Sequence, residues 1–585
     1  MAVPTPWRQA PFNLVKRAAS PLAAASKLRA WAIGDSALGS VDVPGAGLGR
    51  GKKLAAEAGP ALRWLVGSGG ELQPAHLKKP PMKTNSPVSD GPATPANADE
   101  LFRAAMLHAQ RGQPLEAAKL FLEVTRLRPD GFEAYCQLGL MLRQLGQLDD
   151  ALSCLHRARE IKPGFPKLNL LIGSFYKQQG RLAEAADCCR REIQLDPTNA
   201  DAHYNLGLVL QNLDQPEEAI RAYRAALAVR PDYVDALVNL GELHQGRLDL
   251  DAAVRFCEEA IRLRPDSAEA HWQLGTALLA RGDFVRGWRE YEWRWKLPDF
   301  ATPQAGQGRP LWDGADLHGQ RILLHAEQGF GDFIQFIRYA PLVARRGGEV
   351  IVGCPPPLLS LLATVPGVKQ VVTDRTALPP FAVQAPVLSL PAIFRTTLAN
   401  LPREVPYLSA PASGLVLPET AGARLQVGLV WAGAASHKND RRRSLPLELL
   451  RDWAELPGIQ WHSLQVGPRA VDLASLGIAG KFTDWNGRLR DFGDTASMIA
   501  QLDLVIAVDT AVAHLAGALS KPVWTLLPFA AEWRWMQGRE DSPWYPTMRL
   551  FRQSSPGDWP ELLGRVKTAL GRLLEGSAAS AVPTA

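Results

Sequence analysis

Between residues 98 and 300 the apolar positions follow a helical spacing, and that spacing itself recurs every 34 residues. In the unit Ala200–Tyr233, Leu206, Gly207 and Leu210 share one face of a first helix, and Ala219, Tyr223 and Ala226 lie at helical spacing on a second. Small Gly207 and Ala219 let the two helices approach closely, and Pro231 ends the second and turns the chain into the next unit. Pro129, Pro163, Pro197, Pro231 and Pro265 keep the period, as do Gly139, Gly173, Gly207, Gly241 and Gly275, and Ala117, Ala151, Ala185, Ala219 and Ala253. The pattern predicts six helix pairs. One pair cannot bury its apolar face alone, so the pairs stack into a superhelix. The end units depart from the pattern: Ala105 replaces the mid-helix Gly in the first, and the sixth has Gly287 for Ala and Pro298 one residue early, as caps or adaptors do.

From about Arg309 the period stops and short apolar runs alternate with amphipathic stretches, which predicts α/β units with parallel strands. Strands are expected at 321–326, 349–354, 370–373 and 386–390, with a helix over 333–343. A Pro-rich connection near 400–418 leads to a second series at 426–431, 460–466, 504–508 and 523–527. The expected organisation is a disordered tail (1–97), the repeats (98–300), one Rossmann-like lobe (309–418), a second (419–575) and a short disordered tail (576–585). Two such lobes leave a cleft faced by the carboxyl ends of their strands.

Net charge is +6, which suggests nucleic acid until it is located: residues 1–81 hold 11 Lys and Arg against 4 Asp and Glu, so the body is near neutral. Nucleic acid is therefore not an expected partner. A transit-like peptide has the composition of 1–81, and Met82 offers an alternative start. The six Cys form no CxxC pattern, and five of them fall at core-like helical positions. This favours a reducing, cytoplasmic compartment. No apolar run long enough for a transmembrane helix is present.

Three strand-end loops carry candidate chemistry. In the first, Gly329 and Gly331 permit close backbone approach, and Asp332 stands at a helix start, as an N-cap or as a general base. GxG is too short for the dinucleotide fingerprint, so no NAD is expected. The second, Ala432–Ser444, has Lys438, Arg441, Arg442 and Arg443 within six residues, enough to neutralise a diphosphate with help from Ser444, or a solvated charged loop. In the third, Asp509 ends a buried strand, Thr510 and Ala511 open a helix, and His514 lies one turn on. That helix start suits an anion, while Asp509 as an N-cap and His514 as a core histidine are the plain alternatives. No DxD-like carboxylate cluster is present in these loops, so no metal is expected.

The 34-residue unit resembles the tetratricopeptide repeat, which implies a groove for a peptide or protein. Asn205 and Asn239 occupy one first-helix position in successive units, with Gln137 and Gln273 in two others, and such amides bond an extended backbone. Leu171 and Arg103 break that ladder, and solvated helix residues are the alternative. "DTAVAHLAGALSKPVWTLLP" and "GFGDFIQFIRYAPL" resemble segments of the heptosyltransferase-like glycosyltransferases, which have the two-lobed GT-B fold. The resemblance implies Asp332 as catalytic base, Asp509, Thr510, Ala511 and His514 at the nucleotide sugar, and a cation of Lys438–Arg443, best Arg443, on the diphosphate. Ala511 replaces the family's Gly, and Leu527-Pro528-Phe529 its Phe-Gly-Pro. The aromatic segment Glu532–Tyr545 is expected to cover a sugar or to pack between lobes. Repeats joined to a two-lobed transferase also resemble, in architecture, the O-linked N-acetylglucosaminyltransferases. The expected activity is metal-independent, inverting transfer from a nucleotide-diphospho-sugar, with no resident cofactor and a protein acceptor held by the repeats. The alternatives are a scaffold with a degenerate transferase region, and a cell-envelope saccharide as acceptor.

Overall fold

The computed structural model describes residues 95–298, 308–327, 329–374, 378–418, 422–435 and 440–580, together with 65–66 and 72–73. Within the stretch expected as a disordered tail, the described residues are a two-residue antiparallel pair, Leu65–Val66 with Leu72–Gln73, and the start of the first helix at Pro95.

Twelve helices form the six pairs. They are α1 (Pro95–Gln110) with α2 (Pro114–Leu127), α3 (Phe132–Gln144) with α4 (Leu148–Ile161), and α5 (Leu168–Gln178) with α6 (Leu182–Leu195). Then come α7 (Ala200–Asn212) with α8 (Pro216–Val229), α9 (Val234–Gly246) with α10 (Leu250–Leu263), and α11 (Ala268–Arg281) with α12 (Phe284–Tyr291). The chain divides into two compact units, one ending at Ala236 and holding the first four pairs, the other running from Leu237 to the C-terminus. All five register alanines are fully buried. A Cβ on Gly207 would stand 2.6 Å from the Tyr223 ring, so glycine is what brings α7 down onto α8. Asn199 caps α7 and Asp249 caps α10, each accepting from a backbone N–H at 3.2 Å.

The sixth pair is an adaptor. A Cβ at Gly287 would meet Leu279 at 2.8 Å, so glycine in place of alanine lets α12 sit closer to α11. α12 is only eight residues long and passes into a 3-10 turn, Glu292–Lys296. Its Phe284, Trp288 and Tyr291 are buried in the core of the first lobe and of the aromatic segment. Trp288 packs edge-on to Trp533 at 5.2 Å, and its Nε1 donates to the Thr396 carbonyl at 3.1 Å. Such aromatic pairs add roughly 0.5–1.5 kcal/mol each beyond area burial.

The lobes carry two all-parallel sheets. β1 (Arg321–His325), β2 (Glu349–Gly353), β3 (Val368–Val372) and β4 (Val383–Pro386) run in the order β3-β2-β1-β4. β5 (Leu425–Val430), β6 (Ile459–Ser463), β7 (Phe482–Asp484), β8 (Leu504–Val508), β9 (Val523–Leu527) and β10 (Met548–Arg552) run in the order β10-β9-β8-β5-β6-β7. Central strands such as β8 and β9 are buried at every residue, as continuous apolar runs predict. The helices that matter below are α13 (Phe330–Phe336), α14 (Phe492–Gln501), α15 (Ala511–Ala518) and α16 (Trp559–Ser580).

Four expectations are corrected. The strand expected at 386–390 lies at 383–386, where Pro386, which has no N–H, ends it and a 3-10 turn follows. The helix expected over 333–343 is two short helices around a 3-10 turn, with Pro341 opening the second. β7 and β10 were not expected: one has three residues and the other carries Arg549 and Arg552, both features of edge strands. The chain's last described helix reaches Ser580, five residues into the expected tail. All six cysteines are free and buried. Among the described residues no helix is long and apolar enough to cross a membrane.

On β6 of the second sheet His462 is fully buried. Trp485 Nε1 donates to its Nδ1 at 3.2 Å, and its Nε2 donates to Gln426 Oε1 at 2.7 Å, which requires the neutral ring. Burial holds its pKa down at about 4. The unfolded chain therefore binds the extra proton between about pH 6.5 and about pH 4, and the stability this group contributes is lost as pH falls through that window. Thermal unfolding of the wild type is expected to weaken over that range more steeply than that of His462→Gln. Equal slopes would refute the assignment.

Candidate functional site at the strand ends

In the second sheet the chain leaves β5 for β6 and β7 on one side and returns to β8 on the other. The crevice at that reversal, outside the carboxyl ends of β5 and β8, is where such folds bind ligands. The loops after β5 and β8 are two of those singled out from sequence. After β5, buried Gln465 accepts from the Trp431 and Ala432 N–H groups at 3.2 and 3.0 Å and donates to the Ala432 carbonyl at 3.1 Å. Asp440–Arg443 forms a helical turn. Buried Asp440 accepts from Ser444 Oγ at 2.8 Å and Arg469 Nη2 at 3.0 Å, and Ser444 Oγ in turn accepts from the Gly433 N–H at 3.2 Å. Ser444 thus braces the loop. Arg441 and Arg442 are exposed, while Arg443 turns inward and donates to the Asp509 carbonyl at 3.2 Å, tying the two loops together. Lys438 lies outside the described residues.

Asp509 is buried, and its carboxylate accepts from Trp535 Nε1 at 2.8 Å, so it does not cap the helix. Burial pushes its pKa up to about 6, with the Glu532 charge adding to the effect and Arg534 opposing it. Thr510 holds the N-cap position of α15, but its hydroxyl makes no capping bond and is buried without a partner. Ala511 opens the helix. His514 is buried, hydrogen-bonds Tyr545 OH through Nδ1 at 3.0 Å and stacks on Trp535 with ring centres 5.2 Å apart. Burial, then the Arg534 and Arg338 charges, hold it far below the ordinary range, so the ring is neutral. Its Nδ1 is thus engaged within the core.

The first lobe meets this crevice through its own glycine loop. A Cβ on Gly331 would stand 3.0 Å from His514 Cδ2 and 3.5 Å from Ala511 Cα, so glycine is what lets α13 pack on the start of α15. Gly329 is the N-cap residue of α13, and its N–H helps hold the Asp332 carboxylate, which reaches back from the first turn. Burial raises the Asp332 pKa and Arg534 opposes that rise. Arg534 itself is buried, ion-paired to both Asp332 and Glu532, and lies 5.1 Å over the Trp533 ring. It was not among the residues expected at the site; the only trace in sequence is a lone Arg between two Trp just after an apolar strand. Trp533, Trp535, Trp544 and Tyr545 are all buried, so the aromatic segment packs between elements and leaves no face for a sugar.

A second reversal lies between β1 and β4 of the first sheet, and a repeat residue fills it. Fully buried Arg294, from the 3-10 turn after α12, donates to Glu327 Oε2 at 3.0 Å, Glu327 Oε1 at 3.2 Å and Ser389 Oγ at 2.8 Å. The Leu388 N–H donates to Glu327 as well. Burial pushes Glu327 up to about 7 against the pull of Arg294. Neither residue was singled out from sequence. In the repeats, Asn205 is half-buried and donates to the Asp201 carbonyl of its own helix at 2.8 Å, and Asn239 is half-buried on α9.

A model of glycosyltransferase family 9 (heptosyltransferase) matches residues 476–535. The match contains Asp509, Thr510, Ala511, His514 and Arg534, and leaves Asp332 and Arg443 outside it. Models of the tetratricopeptide repeat match residues 102–166, 173–214, 200–233 and 246–287. Protein FlbA of Caulobacter vibrioides is 29% identical over 329 residues, which are 50% of this chain and 54% of that protein, so the match spans about half the length of that relative. Among solved structures, MamA is 24% identical, with 28% of this chain and 96% of that one covered at a TM-score of 0.27. A MamA fragment of Desulfovibrio magneticus RS-1 is 21% identical (29% and 96% covered, TM-score 0.28). A tetratricopeptide repeat protein of Parabacteroides merdae is 19% identical (33% and 77% covered, TM-score 0.31). The chain thus carries tetratricopeptide repeats and, toward its C-terminal side, a region similar to the heptosyltransferase family of glycosyltransferases.

Proposed function

We propose that the chain moves a sugar from a nucleotide-diphospho-sugar to an acceptor hydroxyl by direct, inverting displacement between two lobes arranged as in GT-B enzymes. The observation that carries this reading is the convergence of Arg443, Asp509 and Thr510 at the β5/β8 reversal with Asp332 brought against it from the other lobe. Asp332 takes the acceptor proton, the freed oxygen attacks the anomeric carbon, and the bond to the diphosphate breaks with its electron pair leaving on the phosphate oxygen. Arg443 and the start of α15 stabilise that leaving charge, so the chain's own cations serve where a metal would otherwise act. The repeats deliver a protein acceptor in the cytoplasm, with first-helix amides such as Asn205 contacting its backbone.

The test is nucleotide release from a panel of nucleotide sugars, with and without candidate acceptors captured through residues 98–300. Arg443→Ala is expected to weaken donor binding roughly 10- to 100-fold, the loss of one charged hydrogen-bonding partner. Unchanged binding removes Arg443 from the site. The ion pair on Asp332 favours one rival, a scaffold whose transferase region no longer turns over. A chain that binds no nucleoside diphosphate in calorimetry supports the scaffold, and glycan rather than protein products would move the acceptor to a cell-envelope saccharide.

A further inference from the structure

We propose that Arg534 is a shared partner that enforces binding order: it holds Asp332 before the donor arrives, then turns to the donor's diphosphate and leaves the carboxylate free for the acceptor. This rests on the donor reading above. Arg534 bonds Asp332 from the first lobe and Glu532 from its own turn, and Asp509 lies close enough to feel its charge. It is therefore the cation at which the acids of both lobes meet.

Three polar atoms around Asp509 are buried without a hydrogen-bond partner: Arg534 Nε, Arg443 Nε and Thr510 Oγ1. The nearest carboxylate oxygen to Arg443 Nε, Asp440 Oδ1, stands at 3.8 Å, beyond bonding reach. Each of the three donates, and two carry positive charge, so the complement they lack is an anion with several acceptor oxygens. A diphosphate supplies that, and a planar guanidinium takes two of its oxygens at once.

The exchange has a chemical consequence for Asp332. A carboxylate bonded to a guanidinium is a weak base, because the cation stabilises its charged form. Once Arg534 turns to phosphate, that pull is shared, and burial, already the larger influence on Asp332, raises its basicity. The base is thus competent only when a donor is in place.

Calorimetry on the full chain with inorganic pyrophosphate and a panel of nucleoside diphosphates tests this. Asp332→Asn is expected to bind pyrophosphate about tenfold tighter, because no ion pair has to be given up, and Arg534→Gln to bind about tenfold more weakly. In the Arg534→Gln background, Asp332→Asn is expected to add nothing. An equal gain in both backgrounds means only that a negative charge was removed, and it overturns the proposal. If Arg534→Gln does not fold, the Asp332→Asn arm still decides: unchanged or weaker pyrophosphate binding overturns it. A wild-type chain that binds none of these anions overturns the donor reading and this proposal together. Binding without coupling overturns the proposal alone.

Discussion

Asp332→Asn is expected to lower kcat by about 100- to 10,000-fold if Asp332 is the base proposed above, the range a positioned general base supplies, with the fold kept and diphosphate binding tightened rather than lost. Asn has the size of Asp and still offers Arg534 an acceptor oxygen, so the packing of α13 on α15 need not change. What it cannot do is accept a proton. Its site is buried, so bulk water does not substitute for the carboxylate. Single-turnover transfer, measured beside thermal unfolding and nucleotide titration, separates the outcomes. Turnover equal to wild type would remove Asp332 from the chemistry, and a parallel loss of unfolding temperature would make its role structural.

Arg294→Ala is expected to cost about 3–5 kcal/mol of stability, as removing one partner of a buried pair does. Glu327, with a side chain only 2% exposed, would keep a charge that neither solvent nor another cation neutralises, and Glu292 would lose the same partner. Glu327 escapes by taking up a proton. Its pKa is already raised by burial to about 7, and losing Arg294 raises it further. The defect should therefore shrink as pH falls and widen as pH rises past about 7. Arg294→Ala with Glu327→Gln should recover much of the loss. Urea unfolding followed by tryptophan fluorescence reads this, because Trp288 and Trp533 report the contact between the sixth repeat and the lobes. An Arg294→Ala chain as stable as wild type would show that the pair contributes nothing net.

Both variants probe a feature that divides what is visible in the chain's order from what is not. The repeats are legible because each contact recurs: Gly207 meets Tyr223 in one unit, and Gly241 meets Cys257 in the next, at the same separation. The central strands are legible because burial on both faces demands continuous apolar runs. β7 and β10 are not, because an edge strand needs neither length nor an apolar pattern. The sixth unit's departures, Gly287 and Pro298, mark it as an adaptor, but nothing local says that α12 packs against the lobes.

At the candidate site the same division holds. Asp332, Arg443 and Asp509 are visible because each lies in the segment that follows a strand, and strand ends are where parallel sheets place ligands. That Ser444 is spent on Asp440, His514 on Tyr545 and the aromatic segment on packing emerges only when partners distant in sequence are brought together. Arg534 and Asp332 are 202 positions apart, and Arg294 and Glu327 are 33 apart across a change of fold. By itself the sequence determined the repeats, the α/β class and the loops that bear charge, because those follow from periodicity and local steric rules. Which charges meet was decided by the tertiary structure alone, because a buried ion pair depends on what the fold removes from water around it.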